Sequence, residues 1–288
     1  MSKRKKFIVI LVVLFAWLTV ALFAWVNEIE RTGIHAAVEE GSLVKVRIIL
    51  VKRPELVNAS NEKGSTPLHF AVFKGHKDMC ELLISKGAQI NVRDKDGFTP
   101  LHAASVAGHQ DVVDLLLTNG GDVNSVTNEG LTPLYLSAGK GHEKVAELLI
   151  AKGAKIDTKN NWGLTPLHSA AYWDQKGLVE LLIAKGAEIQ ATDSAGNTPF
   201  YWAALRGAKD VAELLIVQGS QVNAKNNGGQ TAMHMAATLG YKDVIEFLIV
   251  NGAEVNIRDN IGMTPLSCAK ITGHKEIVDL LRKHGGME

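Results

Sequence analysis

The apolar residues of this chain follow two different patterns. Residues 7–26 read FIVILVVLFAWLTVALFAWV, twenty successive positions without a charged side chain. From residue 32 onward, short aliphatic runs such as Leu115-Leu116-Leu117 alternate with polar, glycine-containing stretches. A continuous apolar run of this length forms a helix of about 30 Å, which matches the hydrocarbon core of a bilayer. The pattern therefore predicts one transmembrane helix, followed by many short helices that each bury one face.

The charges on either side of residues 7–26 predict the orientation of this segment. Four basic residues occupy positions 3–6, while Glu28 and Glu30 follow the segment. Because cytoplasmic flanks carry the excess of Lys and Arg, we expect a cytoplasmic amino terminus and the remaining chain on the far side, the periplasm in a bacterium. A cleaved signal peptide with Thr19-Val20-Ala21 as its cleavage site is the alternative, and would give a secreted protein. The apolar run continues to Val26, which favours an uncleaved anchor.

A four-residue motif recurs every 33 positions in the rest of the chain. Its copies begin at Thr66, Thr99, Thr132, Thr165, Thr198, Thr231 and Thr264, and six of the seven prolines follow one of these threonines. Threonine is a good helix N-cap, and proline at the first helical position loses no intrahelical hydrogen bond. In most copies a central glycine then precedes a second, leucine-rich helix, and a further glycine follows that helix. The period predicts a series of helix-turn-helix units, with a looser copy that begins at Thr32.

The copy from Thr99 to Asn124 shows the full pattern, TPLHxAAxxGHxxVVxLLLxxGAxVN with small departures. It resembles the ankyrin repeat, and the resemblance covers the chain from Thr32 to its end. It implies an all-α fold, a curved solenoid of helix-turn-helix units with hairpin tips. We therefore expect a basic cytoplasmic tail at residues 1–6, a transmembrane helix or signal anchor at 7–26, a linker at 27–31, an amino-terminal capping repeat at 32–60 and seven ankyrin repeats at 61–288.

The charge of the chain bears on the class of partner, and the two cysteines bear on disulfide formation. Without the four cations of positions 3–6, the chain has 27 basic and 30 acidic side chains. This slight acidic excess argues against nucleic acid as the main partner, since phosphate binding requires a clear basic excess. Cys80 and Cys268 are the only cysteines, and both stand where the repeat buries a small or apolar residue. They lie nearly six repeats apart in a linear stack, too far for a disulfide.

Ten histidines raise the question of catalysis or metal binding. The resemblance assigns nine of them to structural positions, where they bond neighbouring loop backbone: His35, His69, His76, His102, His109, His142, His168, His234 and His274. His284 lies in a tail that we expect to be solvated. No phosphate-binding loop, dinucleotide fingerprint, CxxC pair, HExxH helix or nucleophile elbow occurs. The sequence therefore predicts no enzyme active site, no cofactor, no metal and no small-molecule substrate.

Aromatic residues are concentrated in two successive repeats. Outside residues 7–26, every tryptophan falls there. Proteins with this repeat usually bind through hairpin tips and the exposed face of the first helix, and aromatic and arginine anchors dominate binding energy at interfaces. We therefore expect the partner-binding surface to comprise Trp162, Leu164, Tyr172, Trp173, Trp202, Leu205 and Arg206. The alternative is that these rings pack as core, which we favour for Tyr201 and Trp202.

A second candidate surface is a row of hairpin residues, namely Lys95, Asp96, Glu129, Asn161, Ser194 and Asn227. Polar side chains at hairpin tips are usually just solvated, and we favour that interpretation.

The sequence thus predicts a non-enzymatic protein-protein interaction module, a scaffold or adaptor, tethered to a membrane. A secreted effector or inhibitor released after leader cleavage is the main alternative, and an enzyme built on this architecture is the third hypothesis.

Overall fold

The computed structural model describes residues 33–288 as a stack of eight helix pairs. These residues contain α-helices, one 3-10 helix at Pro54–Asn58 and no β-strand, so the predicted all-helical repeat architecture is confirmed for this part of the chain. The predicted tail, transmembrane helix and linker, residues 1–31, lie outside the described residues. Within residues 33–288, no helix combines the length and apolar character needed to span a membrane.

The first helices of the pairs are α1 (Ile34–Glu39), α3 (Pro67–Lys74), α5 (Pro100–Ala107), α7 (Pro133–Lys140), α9 (Pro166–Tyr172), α11 (Pro199–Arg206), α13 (Ala232–Leu239) and α15 (Pro265–Ile271). The second helices are α2 (Leu43–Lys52), α4 (Lys77–Ser85), α6 (Gln110–Thr118), α8 (Glu143–Ala151), α10 (Lys176–Ala184), α12 (Lys209–Val217), α14 (Lys242–Val250) and α16 (Lys275–Lys283). First helices of successive pairs pack side by side, and the second helices form a parallel row that packs less extensively.

The recurring threonine is the N-cap of each first helix from α3 onward. Thr165 caps α9, because its hydroxyl accepts a hydrogen bond from the backbone N–H of His168 while Pro166 fills the first helical position. Most first helices end at a glycine in the left-handed conformation, such as Gly75 with φ 71°. In the fifth pair Asp174 takes the place of this glycine and is the only non-glycine residue of the described range with positive φ, at 56°.

A row of large apolar side chains runs through the centre of the stack. One residue from each first helix contributes to it, and the row from α3 to α15 consists of Leu68, Leu101, Leu134, Leu167, Phe200, Met233 and Leu266, all nearly or fully buried. Burial of such a side chain stabilises the fold by roughly 1.5–3 kcal/mol.

Cys80 belongs to the same core, and burial raises the pKa of its thiol to about 12. Cys268 is only half-buried, because it lies on α15 at the position that Trp202 occupies on α11.

The histidines at the fourth position of the recurring motif join one repeat to the next, as predicted. The Nδ1 atom of His168 accepts a hydrogen bond from Thr165 N–H at 3.1 Å, and its Nε2–H donates to the carbonyl of Asn197 at 3.1 Å. Equivalent bonds are made by His69, His102 and His234. One ring nitrogen accepts and the other donates, so the ring must be neutral.

A second set of histidines follows the inter-helix glycine and reaches back to the preceding repeat. His109, His142 and His274 form Nε2 hydrogen bonds with the carbonyls of Phe73, Val106 and Thr238 at 2.9–3.1 Å. Each ring lies where a Cβ on the preceding inter-helix glycine would stand, for example 2.6 Å from such an atom at Gly75. Only glycine therefore leaves room for the histidine of the next repeat.

Candidate functional site

The structure brings four of the predicted binding residues into one cluster, Tyr172, Trp173, Trp202 and Arg206. The ring centroids of Tyr172 and Trp173 are 5.0 Å apart, and those of Tyr172 and Trp202 are 5.3 Å apart, both in edge-on geometry. The guanidinium carbon of Arg206 lies 4.8 Å from the centroid of Tyr172 and 5.6 Å from that of Trp173. We call these four residues the aromatic cluster.

The repeat places the cluster across two neighbouring first helices. Tyr172 is the last residue of α9 and Trp173 is its C-cap, whereas Trp202 and Arg206 lie one turn apart on α11. Helices α9 and α11 pack against each other, so their exposed faces form one surface. An arginine above aromatic faces gains about 0.5–1 kcal/mol at exposed sites, so Arg206 helps to hold the rings together.

Two residues that the sequence interpretation did not single out support the cluster. A Cβ on Gly139 of α7 would stand 2.5 Å from Oγ of Ser169 and 3.0 Å from Cδ1 of Trp173, so this glycine makes room for the serine side chain and the indole ring. Asp193 supports Trp202 of the cluster, because the indole N–H of Trp202 donates a hydrogen bond to Oδ2 of Asp193 at 3.0 Å. Glycine inside a helix destabilises that helix, so its presence needs a reason. Gly139 inside α7, with Trp173 in the next repeat, is the sequence feature that could have predicted the contact between them.

Exposure divides the cluster into a supporting part and an accessible part. Trp202 and Tyr172 are half-buried, whereas Trp173 is 51% exposed and Arg206 is exposed. Tyr201 is buried, as predicted, and burial raises the pKa of its hydroxyl to about 12. Arg206 forms no ion pair with any residue of the described range, so its N–H groups face solvent without a carboxylate partner. The accessible part thus offers an indole face and an unpaired guanidinium.

The other three predicted binding residues lie apart from these ring contacts. Trp162 is 52% exposed at its hairpin tip, and none of the ring contacts found in residues 33–288 involves it. Its backbone carbonyl accepts a hydrogen bond from Ser194 N–H at 2.9 Å. Leu164 and Leu205 are half-buried.

Residues of the second candidate surface take part in bonds between hairpins. Backbone N–H groups of Lys95, Asn161, Ser194 and Asn227 each donate to a carbonyl of the preceding hairpin at 2.9–3.0 Å. Amide side chains add a second row, in which Asn161 donates to Asn128 O at 3.0 Å and Asn227 donates to Ser194 O at 3.2 Å. These asparagines therefore have a structural role, while Lys95, Asp96 and Glu129 have exposed side chains.

The structure also shows a phenylalanine patch that the sequence interpretation missed. Phe70, Phe73 and Phe98 line a depression of about 190 Å³ near the amino-terminal end of the stack. Phe73 is 54% exposed. Phe70 and Phe73 occupy the same repeat positions as Trp202 and Tyr172, so a comparison of repeat positions could have identified them.

No group of three or more His, Cys, Asp or Glu side chains within residues 33–288 is placed to hold a metal ion. The titratable groups with the largest pKa shifts are buried side chains of the stack, namely Cys80, His102, His168 and Tyr201. Burial lowers the pKa of His102 and His168 to about 4.

Comparison with known proteins shows what the repeats are similar to. A putative ankyrin repeat protein of fowlpox virus (strain NVSL) is 41% identical over 58 residues, which is 20% of this chain and 14% of that protein. Acyl-CoA-binding domain-containing protein 1 of Arabidopsis thaliana is 37% identical over 62 residues, which is 22% of this chain and 18% of that protein. The aligned parts span less than a fifth of either relative.

The family comparison covers much more of the chain. The sequence model for ankyrin repeats (3 copies) matches residues 34–127, 115–193, 178–259 and 200–288, an unbroken series through the helix pairs. The chain therefore belongs to the ankyrin-repeat family.

Proposed function

We propose that this protein is a membrane-tethered scaffold or adaptor that binds another protein through the aromatic cluster. Ankyrin repeats form protein-protein interaction modules. Among the surfaces of the stack, we assign partner binding to the aromatic cluster because it combines exposed and packed aromatic rings with an exposed arginine. Leu164, Leu205 and Trp162 lie in the same two repeats and extend the surface toward the hairpin tips. The proposal includes no catalytic step and no cofactor.

The chemistry of the cluster suits an anchor site. Tryptophan, tyrosine and arginine are the residue types most often found as hot spots, where truncation costs about 2 kcal/mol or more. Trp173 is held between Tyr172 and Gly139, so little side-chain entropy is lost when a partner covers it. Arg206 offers its N–H groups to a carboxylate or carbonyl of the partner, while its own face stays stacked on Tyr172.

Residues 7–26 would hold this module at the membrane. Twenty residues without a charged side chain, with basic residues before them and acidic residues after them, support an uncleaved anchor with a cytoplasmic amino terminus. The repeats then lie on the far side, the periplasm in a bacterium. The size of the mature protein in the membrane fraction tests this part: a product that has lost residues 1–21 by cleavage after Ala21 and appears in the medium would support a secreted effector or inhibitor instead.

The docking surface is tested on the full chain. Crosslinking and affinity capture from detergent-solubilised membranes, followed by mass spectrometry, identify the partner, and titration with the purified partner then compares variants. We expect Trp173→Ala to raise Kd about 30-fold, the equivalent of about 2 kcal/mol. The matched control is Phe73→Ala, a comparably exposed aromatic residue of the phenylalanine patch, which should change Kd less than about twofold if the partner uses the cluster.

Two results would contradict the assignment. The triple variant Trp162→Ala, Tyr172→Ala, Trp173→Ala could bind the partner as tightly as the native chain while its circular dichroism is unchanged. Alternatively, Phe73→Ala could abolish binding that Trp173→Ala leaves intact, which would move the docking surface to the phenylalanine patch.

A further inference from the structure

Helix α2 differs from the seven later second helices in the charge of its exposed face. Arg47 occupies a position that is acidic and exposed in every later pair: Glu81, Asp114, Glu147, Glu180, Glu213, Glu246 and Asp279. Val44, which is 56% exposed, occupies a position that holds a charged residue or glycine in the other pairs. The acidic surface of the later helices is thus replaced in α2 by an apolar and basic one.

Val44, Arg47 and Val51 form one face of α2. They follow each other at intervals of three and four residues, the spacing of side chains on adjacent turns of a helix. Val51 is 77% exposed and Arg47 is also exposed, so no other part of residues 33–288 covers this face. Exposed aliphatic side chains combined with basic residues are typical of helices that lie in a membrane interface.

The amino-terminal end of the stack is also the basic end. Residues 33–93, which hold the first two pairs, contain nine Lys and Arg against six Asp and Glu, whereas residues 94–288 contain 17 against 22. An anionic surface therefore attracts the first two pairs and repels the remainder of the stack.

The connection between the apolar segment at residues 7–26 and helix α1 is short. Seven residues separate Val26 from Ile34, the first residue of α1. Seven residues span at most about 25 Å even when fully extended. If residues 7–26 cross a bilayer, the first pair is therefore held beside the lipid headgroups.

We propose that the face formed by Val44, Arg47 and Val51 lies against the anionic headgroup layer of the membrane. This inference rests on the tether proposed above, because the anchor brings α2 to the bilayer. The two valines enter the apolar boundary of the headgroup layer, and the guanidinium of Arg47 pairs with lipid phosphate. The stack then has two attachments to the membrane, which restrict its rotation relative to the bilayer.

Site-specific fluorescence on the full chain tests the contact. The native cysteines are first replaced by residues found at the same repeat positions, Cys80→Val and Cys268→Ser, and a bimane label is attached at Val51→Cys or at Val250→Cys. Val250 is the matched control, because it occupies the same position on α14 and is 85% exposed. The protein is reconstituted in vesicles of phosphatidylcholine and phosphatidylglycerol that contain a lipid with a nitroxide on its headgroup.

We expect quenching several-fold stronger at position 51 than at position 250. Arg47→Glu, which introduces the acidic residue type of the later repeats, should reduce quenching at position 51 without releasing the protein from the vesicles. Flotation of the vesicles on a density gradient reports the tether independently of the label.

The outcomes separate the two proposals. If the protein floats with the vesicles but the labels at positions 51 and 250 are quenched equally, the α2 contact is wrong and the tether stands. If the label at position 51 is protected from both lipid nitroxide and aqueous iodide, another protein surface covers the face and the lipid assignment is overturned. If the protein does not float at all, the tether itself is wrong and the contact falls with it.

Discussion

At the scale of single residues, the buried histidines at the fourth position of the recurring motif make the stack sensitive to acid. Burial lowers the pKa of His102 and His168 to about 4, and it also lowers the pKa of His69 and His234. Between the lowered pKa and the ordinary value near 6.5, the unfolded chain binds more protons than the folded chain. The stabilising effect of these histidines is therefore complete above pH 6.5 and is lost as pH falls toward 4.

The variant His168→Tyr isolates the effect of one histidine. Tyrosine occupies the same repeat position at residues 135 and 201, so the substitution has a precedent on both sides of the fifth pair. We expect the variant to reduce the dependence of the free energy of unfolding on pH, by an amount that increases as pH falls and approaches about 1.4 kcal/mol per pH unit near pH 5. Urea unfolding at a series of pH values from 7 to 5 measures this slope. A variant whose slope equals that of the native chain would show that His168 is not the titrating group.

At the scale of the hairpin elements, one bond is missing from the row of amide bonds that runs from Asn128 to Asn260. The amide side chains of Asn128, Asn161, Asn227 and Asn260 donate to the carbonyl 33 residues earlier. Ser194 stands at the equivalent position, where its side chain is too short for this bond. We expect Ser194→Asn to supply a bond to Asn161 O and to raise the free energy of unfolding by about 0.5 kcal/mol.

The reverse substitution provides the control for the hairpin row. Asn227→Ser should lower the free energy of unfolding by a similar amount, because it removes the bond to Ser194 O. Both variants are compared with the native chain by the midpoint of urea unfolding. Changes in the same direction for the two variants would contradict an additive role of these side-chain bonds.

At the scale of the whole molecule, the 33-residue period predicts most of the fold but not the contacts between particular repeats. Thr165, Pro166 and His168 have local roles that recur, so their structure follows from the motif. The contact between Trp173 and Gly139 does not follow from the motif. The period places both residues on one face of the stack but does not determine the side-chain rotamer of Trp173. Exposure of Trp162 outside the cluster likewise depends on the conformation of its hairpin.

Departures from the motif are coupled in ways that only the packed stack explains. Asp174 replaces the inter-helix glycine of the fifth pair, and Ala208 replaces the histidine that would pack on it from the next pair. A histidine ring at position 208 would meet the Cβ of Asp174, whereas rings at positions 109, 142 and 274 meet glycines. Two substitutions that look independent along the chain are therefore one steric adjustment.

Ala208 belongs to a series of three successive joints that lack the histidine bond to the preceding repeat. Gln175, Ala208 and Tyr241 occupy this position in the fifth, sixth and seventh pairs, and Gln175 instead donates to Trp173 O at 2.8 Å. The stability of a repeat stack is approximately the sum of repeat and interface contributions. We therefore expect α9 to α12 to open before α3 to α6, and native-state hydrogen exchange read by mass spectrometry measures this order.

Gln175→His tests whether the missing bond sets that order. Its ring would pack on Gly141, which has no Cβ, and its Nε2–H would reach the carbonyl of Gly139 as His142 reaches Val106. We expect a gain of about 1 kcal/mol in the free energy of unfolding and slower exchange in α9. Ala208→His is the contrasting variant and should destabilise the stack, because Asp174 blocks the ring. Equal effects of the two variants would show that the histidine bond does not limit opening at these joints.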